Sequence, residues 1–586
     1  MRTTWDLEQL YKSADDPQME KDVKALERVF SAFAKKYRGA ASYARSEAAL
    51  ARALGEYEAM LSKRAWGKPL SYFQFRLSLD SGDAVARAKL NQLMERLTKS
   101  YNQIIFFELS LMKIPPKLQK RFLKSPRLER YRHFLKTIFA RAAHTLSEAE
   151  EKIMSLKEIP AYQQWIDATD KLLGRQTVES SGKTLPVSEA MQRIHELPTQ
   201  NERRALHEAT MRSLSSLADI AESEINAIVT DKKINDGLRG FARPYDETIL
   251  RYQNEPKSVD ALVGAVTRRF NISHRFYHLK AKLLRLEKLG YFDRAVGIGK
   301  NVRPVPFAEA VETLRRIFGS VDPRYAAILD SFLEKGQIDA FPKIGKGGGA
   351  YCAGNANMPT FVLLNYTNTM DDVMTFAHEM GHAIHTELSK SQPIIYQDYS
   401  SSTAEAASTL FESLVFDALF EKLSPDEQVI ALHKRLNDDI QTIFRQIAAF
   451  NFETELHGAV RAKGSLTRDE IGALLNKHMA AYLGPVVAME PVDGNHFVAW
   501  MHLRRFFYVY TYAFGQLVSK VLAARYKTDR KAARNIAAFL SAGGSESPEE
   551  ILKSIGIDIA KPDFWDAGLD SIECDIDRLE KLTAAR

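Results

Sequence analysis

The chain has 586 residues, of which 45% are hydrophobic and 26% charged, a balance typical of a folded globular protein and not of a disordered one. Its 81 basic and 74 acidic residues leave a formal net charge of +7, a small excess for this length, so we expect no nucleic-acid partner. No apolar run approaches the ~20 residues of a membrane helix, and the N-terminal MRTTWDLEQLYKSADD lacks the apolar core of a secretory signal. With only two cysteines, Cys352 and Cys574, we expect a cytoplasmic protein without a membrane partner.

The apolar residues of most of the chain recur with the period of about 3.6 residues that is typical of amphipathic helices. Between residues 84 and 109, for example, Leu90, Leu93, Leu97 and Tyr101 follow this spacing. The same pattern returns at 188–230, 257–288, 403–422, 468–483 and 531–541. No repeat of fixed period is evident, so we predict a large, mainly α-helical protein and not a solenoid.

Two stretches interrupt the helical pattern, and the first of them predicts a domain boundary. At 177–187 the sequence TVESSGKTLPV is polar and contains Ser-Gly and Pro, and helical periodicity resumes at Ser188. We therefore predict an N-terminal helical region of residues 1–185, followed by a second domain of residues 186–586.

The second interruption, at 341–368, combines a glycine run with a short β-like segment, Phe361–Tyr366. We predict a small β-sheet here, directly before a helix. An edge strand of this sheet could pair with an extended peptide, and the sheet could equally serve only to support the helix. The glycine run, Gly345–Gly349, lacks the GK[ST] ending and the strand–helix context of a phosphate-binding loop.

The next helix, predicted from about Asp371 to Leu388, contains the sequence HEMGH. His378 and His382 differ by about 40° around a helix, so both imidazoles leave one face and can share a tetrahedral zinc ion. Glu379 is turned by about 100° and reaches the side of the metal, where a general base can take a proton from water. The alternative interpretation is a buried helix that carries two histidines by chance.

A zinc site needs a third protein ligand, and this helix does not supply one. His385 lies on the same face but about 10 Å along the axis from His378, too far to share one ion, and the longer HExxHxxGxxH pattern is absent. We predict Glu405 as the third ligand, because it follows early in a second helix at 400–423 among alanines that permit close packing. Glu412 is predicted to orient a histidine through its other ring nitrogen.

Stretches along nearly the whole chain carry a family resemblance. They are WDLEQLY near the start, GGGAYC, LLNYT, DDVMTFAHEMGHAIH, AEAASTLFE, HLRRFFYVYTYAFG and FLSAGGSESPEEIL. In this order they resemble peptidase family M3, the thimet oligopeptidase-like zinc peptidases, and in particular its oligoendopeptidase F branch. The likeness is far more specific than the HExxH pattern alone.

The resemblance implies that His378, His382 and Glu405 bind one zinc ion and that Glu379 is the catalytic carboxylate. It also implies a mainly α-helical fold of two lobes around a deep central channel, with the small β-sheet beside the HExxH helix. Such a channel admits short, unfolded peptides and excludes folded proteins.

By the same resemblance, residues 186–586 form the catalytic zinc peptidase domain. The glycine run Gly345–Gly349 would be a flexible loop that closes over bound peptide, with Tyr351 touching the substrate. Both roles follow from the likeness to the family.

The resemblance further assigns functional residues to 496–515, HFVAWMHLRRFFYVYTYAFG. It implies that His502, Tyr508 and Tyr510 contact the substrate and its oxyanion, where a donor ~2.7–3.1 Å away stabilises the developing charge. On a helix Tyr508 and Tyr510 face different ways, so at most one reaches the oxyanion, and we predict Tyr510. His496 could replace His502, because both precede the aromatic run.

We predict a zinc metalloendopeptidase that hydrolyses internal bonds of short, unfolded oligopeptides. One alternative is a zinc exopeptidase such as a carboxypeptidase, in which Arg504 or Arg505 would hold a free terminus. These arginines stand where many family members have aromatic or small residues. The other alternative is a non-catalytic peptide-binding protein, which the four intact residues of the predicted centre argue against. The sequence makes no prediction of the oligomeric state or the preferred cleavage residues.

Overall fold

The computed structural model describes residues 1–63, 67–180, 182–299, 303–355 and 357–584. The described chain is mainly α-helical, which confirms the predicted fold class. It falls into two compact units, each assembled from three separate segments. The first unit comprises Met1–Ala143, Arg303–Leu419 and Leu522–Gly556, and the second comprises His144–Val302, Phe420–Val521 and Ile557–Arg586.

The domain division predicted at residue 185 lies inside the second unit. The polar stretch that suggested it forms a β-hairpin, Thr177–Ser180 with Lys183–Pro186. This hairpin is tied to the following helix, Gln200–Ser215, because the Ser213 hydroxyl donates to the carbonyl oxygen of Thr177 (3.2 Å). The division into residues 1–185 and 186–586 therefore does not coincide with the boundary between compact units, and it stays a prediction about the sequence.

The first unit is built from short and medium helices, several of which begin at a side chain that accepts a backbone N–H bond, such as Asp16, Ser46 and Asp83. Its helices are Pro17–Tyr37, Glu47–Ser62, Gly67–Leu79, Ala84–Tyr101, Phe106–Met112, Pro116–Lys124, Arg132–Ala142, Phe307–Val321, Pro323–Lys335, Met370–Ser389, Ser401–Phe420, Ala533–Ser541 and Pro548–Ser554.

The second unit is also helical. Two of its long helical stretches each contain one π-helical turn, at Ile159–Gln163 and at Ile440–Phe444. In the part of the chain that the structure describes, no helix is both long enough and apolar enough to cross a membrane. The helices of this unit are Glu148–Glu158, Gln164–Leu173, Val187–Arg193, Gln200–Ser215, Ala218–Arg239, Asp246–Arg251, Pro256–Arg268, Phe270–Leu283, Pro425–Asp439, Arg445–Lys463, Arg468–Leu483 and Pro562–Ala584. The helix Tyr510–Thr528 belongs to this unit as far as Val521.

The predicted small sheet is present in the first unit and has three strands. Its central strand, Met358–Leu363, pairs antiparallel with Tyr351–Asn355 and parallel with Ile338–Asp339. The predicted strand, Phe361–Tyr366, is therefore displaced by three residues and is not an edge strand. The burial of this strand agrees with its central position, because Phe361, Val362 and Leu363 are all inaccessible to solvent, which is typical of a strand with neighbours on both sides.

The N-terminal WDLEQLY stretch packs against this sheet. The indole N–H of Trp5 donates to the carbonyl oxygen of Val362 (2.8 Å), and the Trp5 ring contacts Phe75 and Phe361 with centroids 5.1 and 5.6 Å away. The carbonyl oxygen of Thr3 accepts from the backbone N–H of Ala340 (3.0 Å). The first residues of the chain thus pack against the sheet and form a hydrogen bond with its central strand.

Candidate active site

The HEMGH helix, Met370–Ser389, begins one residue before its predicted start and ends one residue after its predicted end. Thr369 caps it: the Thr369 hydroxyl accepts from the backbone N–H of Asp372, and the Asp372 carboxylate accepts in return from the backbone N–H of Thr369. Because the negative charge of Asp372 lies in the first turn, it also interacts favourably with the helix dipole. The helix start, and with it the orientation of the motif, is fixed by these local bonds.

The helix Ser401–Phe420, here called the Glu405 helix, packs closely against the HEMGH helix. A Cβ atom added to Gly381 would lie 2.7 Å from the Cα of Ser408 and 3.3 Å from the carbonyl oxygen of Ala407. Ala406 and Ala407 are fully buried. The absence of a side chain at Gly381 is therefore what allows the two helices to approach.

This approach brings His378, His382 and Glu405 together. Each offers one ligand atom, and the three atoms all lie within 4.8 Å of one another. His378 Nε2 is 3.7 Å from Glu405 Oε2, and the two imidazole centroids are 4.8 Å apart. Two imidazole nitrogens and one carboxylate oxygen form a donor set that suits a catalytic zinc ion with a fourth, open position, so the residues fit such an ion.

Glu412 lies behind the cluster, on the Glu405 helix. Its Oε2 atom is 3.4 Å from His378 Nδ1, the ring nitrogen that faces away from Glu405. Burial by itself lowers the pKa of His378, but the hydrogen bond and negative charge of Glu412, followed by the charges of Glu379 and Glu405, outweigh it and raise that pKa. Burial and the nearby His378 lower the pKa of His382 to about 3, so His382 is neutral and able to bind a metal.

Glu379 is only 7% exposed and lies beside the cluster. Burial raises the pKa of its carboxyl to about 7, and the charge of Glu405 adds to the effect. His378 and a hydrogen bond from the backbone N–H of Cys352 act in the opposite direction. Since Cys352 belongs to the outer strand, Tyr351–Asn355, the sheet contacts the candidate base directly.

His385 lies outside this cluster, as its distance along the helix axis predicts. Its ring stacks on Tyr399, with centroids 3.6 Å apart and an interplanar angle of 12°. The hydroxyl of Tyr399 lies 2.8 Å from that of Thr386. His385 is thus a packed residue of the first unit.

The glycine run is held by bonds to its surroundings. The backbone N–H of Gly347 donates to the carbonyl oxygen of Ser78 (2.8 Å), and the side-chain amide of Asn365 donates to the carbonyl oxygens of Gly347 and Gly349. The Tyr351 hydroxyl, which the resemblance assigns to substrate, donates to the hydroxyl of Ser78 (2.8 Å). Closure of this loop over a peptide stays a prediction.

The segment 496–515 belongs to the second unit, and its helix begins only at Tyr510. Tyr510 is fully buried, and its hydroxyl donates to the side-chain oxygen of Asn254 (2.8 Å). The preference for Tyr510 as the substrate-contacting tyrosine therefore has no support in its surroundings. The preference for Tyr510 requires one helix that carries both tyrosines, whereas Tyr508 precedes the helix.

Three other aromatic side chains of this segment form a cluster, here called the His502 cluster. The His502 ring stacks on Tyr508 (5.3 Å, 20°) and lies 5.9 Å from the ring of Tyr512. The hydroxyls of Tyr508 and Tyr512 are 3.3 Å apart. Tyr512 was missed at the sequence level, although its spacing of four residues from Tyr508 was the available signal.

The two candidate histidines differ in their surroundings. Burial, followed by the charges of Arg445 and Arg505, lowers the pKa of His502 to about 4, so the imidazole is neutral near pH 7. His496 is buried beside the rings of Tyr291 (5.1 Å) and His207 (6.0 Å), and burial holds its pKa well below the ordinary value. His502, which is half-buried, is the more accessible of the two.

Arg504 is 1% exposed and paired. Its guanidinium donates to both carboxylate oxygens of Glu224, at 2.9 and 2.7 Å. Arg505 is exposed, with its guanidinium 5.9 Å from the centroid of Tyr508. Of the two arginines considered for a free peptide terminus, Arg504 is therefore already committed to an internal ion pair.

Two protein-family models match the chain. The model of "Peptidase family M3" matches residues 194–571, and that of "Oligopeptidase F" matches residues 110–175. An oligoendopeptidase F homolog of Lactococcus lactis subsp. lactis is 26% identical over 522 residues, covering 86% of each chain.

Solved structures share the fold. The crystal structure of a Chlamydophila abortus protein described as a peptidase superposes with a TM-score of 0.87 at 23% identity, covering 99% of this chain and 98% of that one. Oligoendopeptidase-F from Enterococcus faecium gives 0.69 at 20% identity, with 98% and 100% covered. Fold and donor set together define a metallopeptidase. The chain belongs to peptidase family M3, and the resemblance predicted from its motifs is confirmed.

Proposed function

We propose that this protein is a zinc-dependent endopeptidase that cleaves internal bonds of short, unfolded peptides. The observation that carries the proposal is the convergence of His378, His382 and Glu405 beside a buried Glu379 whose pKa is raised to about 7. Membership of a peptidase family supports the same reaction class. The name of the Lactococcus relative, an oligoendopeptidase, supports cleavage within the peptide.

Zinc is the metal we propose, held by His378, His382 and Glu405. When bound there, it would polarise a water molecule and the scissile carbonyl as a Lewis acid. Glu412 would fix the orientation of His378 by accepting a hydrogen bond from its Nδ1–H, which also leaves Nε2 free as the ligand atom.

The protein's own residues would move the proton. Glu379 takes a proton from the attacking water, since its buried carboxyl lies beside the three candidate ligands, close enough to His378 and Glu405 to interact with their charges. Glu379 then gives this proton to the leaving amine. Because Glu379 is buried, bulk water competes little for that proton.

We propose that His502 and Tyr508 hydrogen-bond the carbonyl oxygen on which negative charge develops. Tyr508 takes this role in place of Tyr510, because the Tyr510 hydroxyl is engaged with Asn254 in the core. The neutral state of His502, with its pKa near 4, leaves it one ring N–H to donate. Tyr512, whose hydroxyl faces that of Tyr508, would hold the phenol in place.

The exopeptidase alternative loses one of its two candidate anchors, since Arg504 is buried and paired with Glu224. A non-catalytic binding role would not require a buried carboxyl beside the cluster. We further propose that the protein works in the cytoplasm, which its two free cysteines support. The matches at 110–175 and 194–571 lie on either side of residue 185 and support the proposed division between an N-terminal region and a catalytic region.

The deciding experiment uses peptides blocked at both ends, with products identified by mass spectrometry. The zinc-loaded protein is expected to cut these peptides internally, and Glu379→Gln is expected to lose this activity by ~10³-fold or more while keeping its metal. Trimming of unblocked peptides alone would favour an exopeptidase. Binding without cleavage of either set would favour the non-catalytic alternative.

A further inference from the structure

Two consecutive phenylalanines directly before Tyr508 adopt left-handed backbone conformations. Phe506 has φ 44° and Phe507 has φ 59°. For non-glycine residues each such conformation is energetically unfavourable, and it persists only when the surroundings impose it. The pair, here called the Phe–Phe turn, is therefore a strained segment that other groups must hold.

Two side chains hold the turn through its backbone. The hydroxyl of Thr248 donates to the carbonyl oxygen of Phe506 (3.0 Å), and the backbone N–H of Phe507 donates to Oε2 of Glu453 (2.6 Å). Thr248 is inaccessible to solvent and Glu453 is 1% exposed, so water does not compete for either bond. Each bond acts on one residue of the Phe–Phe turn.

The chain before the turn is anchored independently. Besides its ion pair with Glu224, the Arg504 guanidinium donates to the carbonyl oxygens of Phe497, Val498 and Trp500, at 2.7 to 3.2 Å. The hydroxyl of Tyr162 donates to the carbonyl oxygen of Arg504. Since the backbone is fixed up to Arg504, the conformation of the next three residues, Arg505, Phe506 and Phe507, determines where Tyr508 emerges.

We propose that Glu453 is a positioning residue for Tyr508: its buried carboxyl fixes the amide of Phe507, and the resulting turn sets the phenol of Tyr508 on His502 and beside Tyr512. This inference rests on the substrate contact proposed for Tyr508. It gives a role to a buried acid that stands far from the metal-ligand candidates in sequence and that no motif indicates.

The surroundings of Glu453 support a role for its acceptor oxygen and not for its charge. Burial raises the pKa of Glu453 to about 8, against the opposing effects of the Phe507 N–H and the charge of Lys232. The uncharged carboxyl therefore predominates near pH 7. Glutamine has the same shape, is also uncharged, and offers an oxygen to the Phe507 N–H, so it is the conservative replacement.

The test is a double-mutant cycle between Glu453 and Tyr508, read by steady-state cleavage of a blocked peptide. Glu453→Leu removes the acceptor and is expected to lower kcat about 100-fold with little change in KM, as expected for a misplaced transition-state donor. Glu453→Gln is expected to stay within about threefold of the wild type, because the acceptor is restored. In a Tyr508→Phe background, Glu453→Leu is expected to lower kcat by less than about threefold further, since the phenol hydroxyl is already absent.

Two further variants separate positioning from loss of stability. Ile447→Val, buried on the same helix, Arg445–Lys463, is expected to lower the thermal midpoint without changing kcat. Thr248→Val removes the other bond to the turn at nearly constant volume, and it is expected to reproduce the kcat loss and its dependence on Tyr508 even if Glu453→Leu does not fold.

The outcomes are distinguishable. If Tyr508→Phe alone leaves kcat unchanged, the proposed substrate contact of Tyr508 fails, and the positioning role fails with it. If Tyr508→Phe lowers kcat but Glu453→Leu and Thr248→Val do not, only the positioning role is overturned. Full additivity of the Glu453 and Tyr508 effects would overturn it equally.

Discussion

Gly381 of the HEMGH helix lies against Ser408 of the Glu405 helix, so closely that a Cβ atom on Gly381 would be 2.7 Å from the Ser408 Cα. This is shorter than any ordinary contact to a backbone atom, and neither helix can absorb it by turning a side chain. One glycine therefore sets the distance between the helix that carries two histidines and the helix that carries the glutamate.

Gly381→Ala is expected to separate the two helices and to weaken zinc binding by about 10- to 100-fold, because Glu405 would no longer reach the ion in a good geometry. Zinc affinity can be measured by competition with a chromophoric chelator. Gly237→Ala is the matched control: Gly237 is also in a helix, and nothing lies within 4 Å of an added Cβ. This control is expected to gain up to about 1 kcal/mol of stability and to bind zinc normally. Equal zinc affinity in both variants would contradict the packing argument.

Glu412→Gln is expected to weaken metal binding by about 10-fold or more while the three candidate ligands remain in place. The physical reason is that a neutral amide holds the Nδ1–H of His378 less strongly than a carboxylate does, 3.4 Å away in this structure. The measurement is the same chelator competition, together with kcat at saturating zinc. Normal affinity would mean that Glu412 does not orient His378.

Tyr508 and Tyr510, two of the three tyrosines of the YVYTY run, are expected to respond differently to removal of the hydroxyl. Tyr508→Phe should lower kcat by about 10²-fold or more with little effect on thermal stability. Tyr510→Phe should cost about 1–3 kcal/mol of stability, because the buried hydrogen bond from the Tyr510 hydroxyl to Asn254 is lost, and should change kcat much less. The measurements are peptide cleavage and thermal melting of both variants. A large loss of kcat in Tyr510→Phe and not in Tyr508→Phe would instead support Tyr510 as the substrate-contacting tyrosine.

The stability of the protein is expected to depend on pH through Glu453. Its pKa is about 8 in the folded protein and 4.5 in the unfolded reference, so between these values the folded state binds one proton more. The stabilisation that the folded state gains from protonated Glu453 is fully present below about pH 4.5. As the pH rises, the free energy of unfolding falls by about 1.4 kcal/mol per pH unit and levels off near pH 8. Glutamine does not titrate.

The thermal midpoint of Glu453→Gln, measured relative to that of the wild type, should therefore rise between pH 5.5 and pH 7.5. A constant difference across this range would show that Glu453 does not have the raised pKa. Since both proteins share every other titrating group, the comparison isolates this carboxyl.

The sequence predicted best what short spacing and helix geometry decide. The HEMGH helix begins and ends within one residue of expectation, because Thr369 and Asp372 form a local cap and the apolar period is strong. Glu405 could be chosen because the alanines beside it indicate close helix packing, and Glu412 because it follows seven residues later on the same face of that helix. His385 could be excluded from the rise per residue alone.

The sequence predicted poorly what depends on distant partners. The preference for Tyr510 over Tyr508 stays a prediction, but it requires one helix for both residues, whereas the helix begins at Tyr510 after the Phe–Phe turn, which is held by bonds to Thr248 and Glu453, far away in sequence. The boundary of the compact units was not visible for the same reason, since each unit joins three segments that are not consecutive in the sequence.

The contact between Trp5 and the sheet also constrains when the first unit can fold during synthesis. The indole of residue 5 bonds to residue 362, and the first unit needs a last segment that starts at Leu522. At ~5–20 residues per second, roughly 20–75 s pass between the synthesis of Ala143 and that of Leu522. Through that interval the first unit lacks its last segment, although the N-terminal helices already form a core of their own from Val23 to Phe139. Peptidase activity is therefore expected only when translation is nearly finished, so the enzyme is inactive while its own chain is still being synthesised.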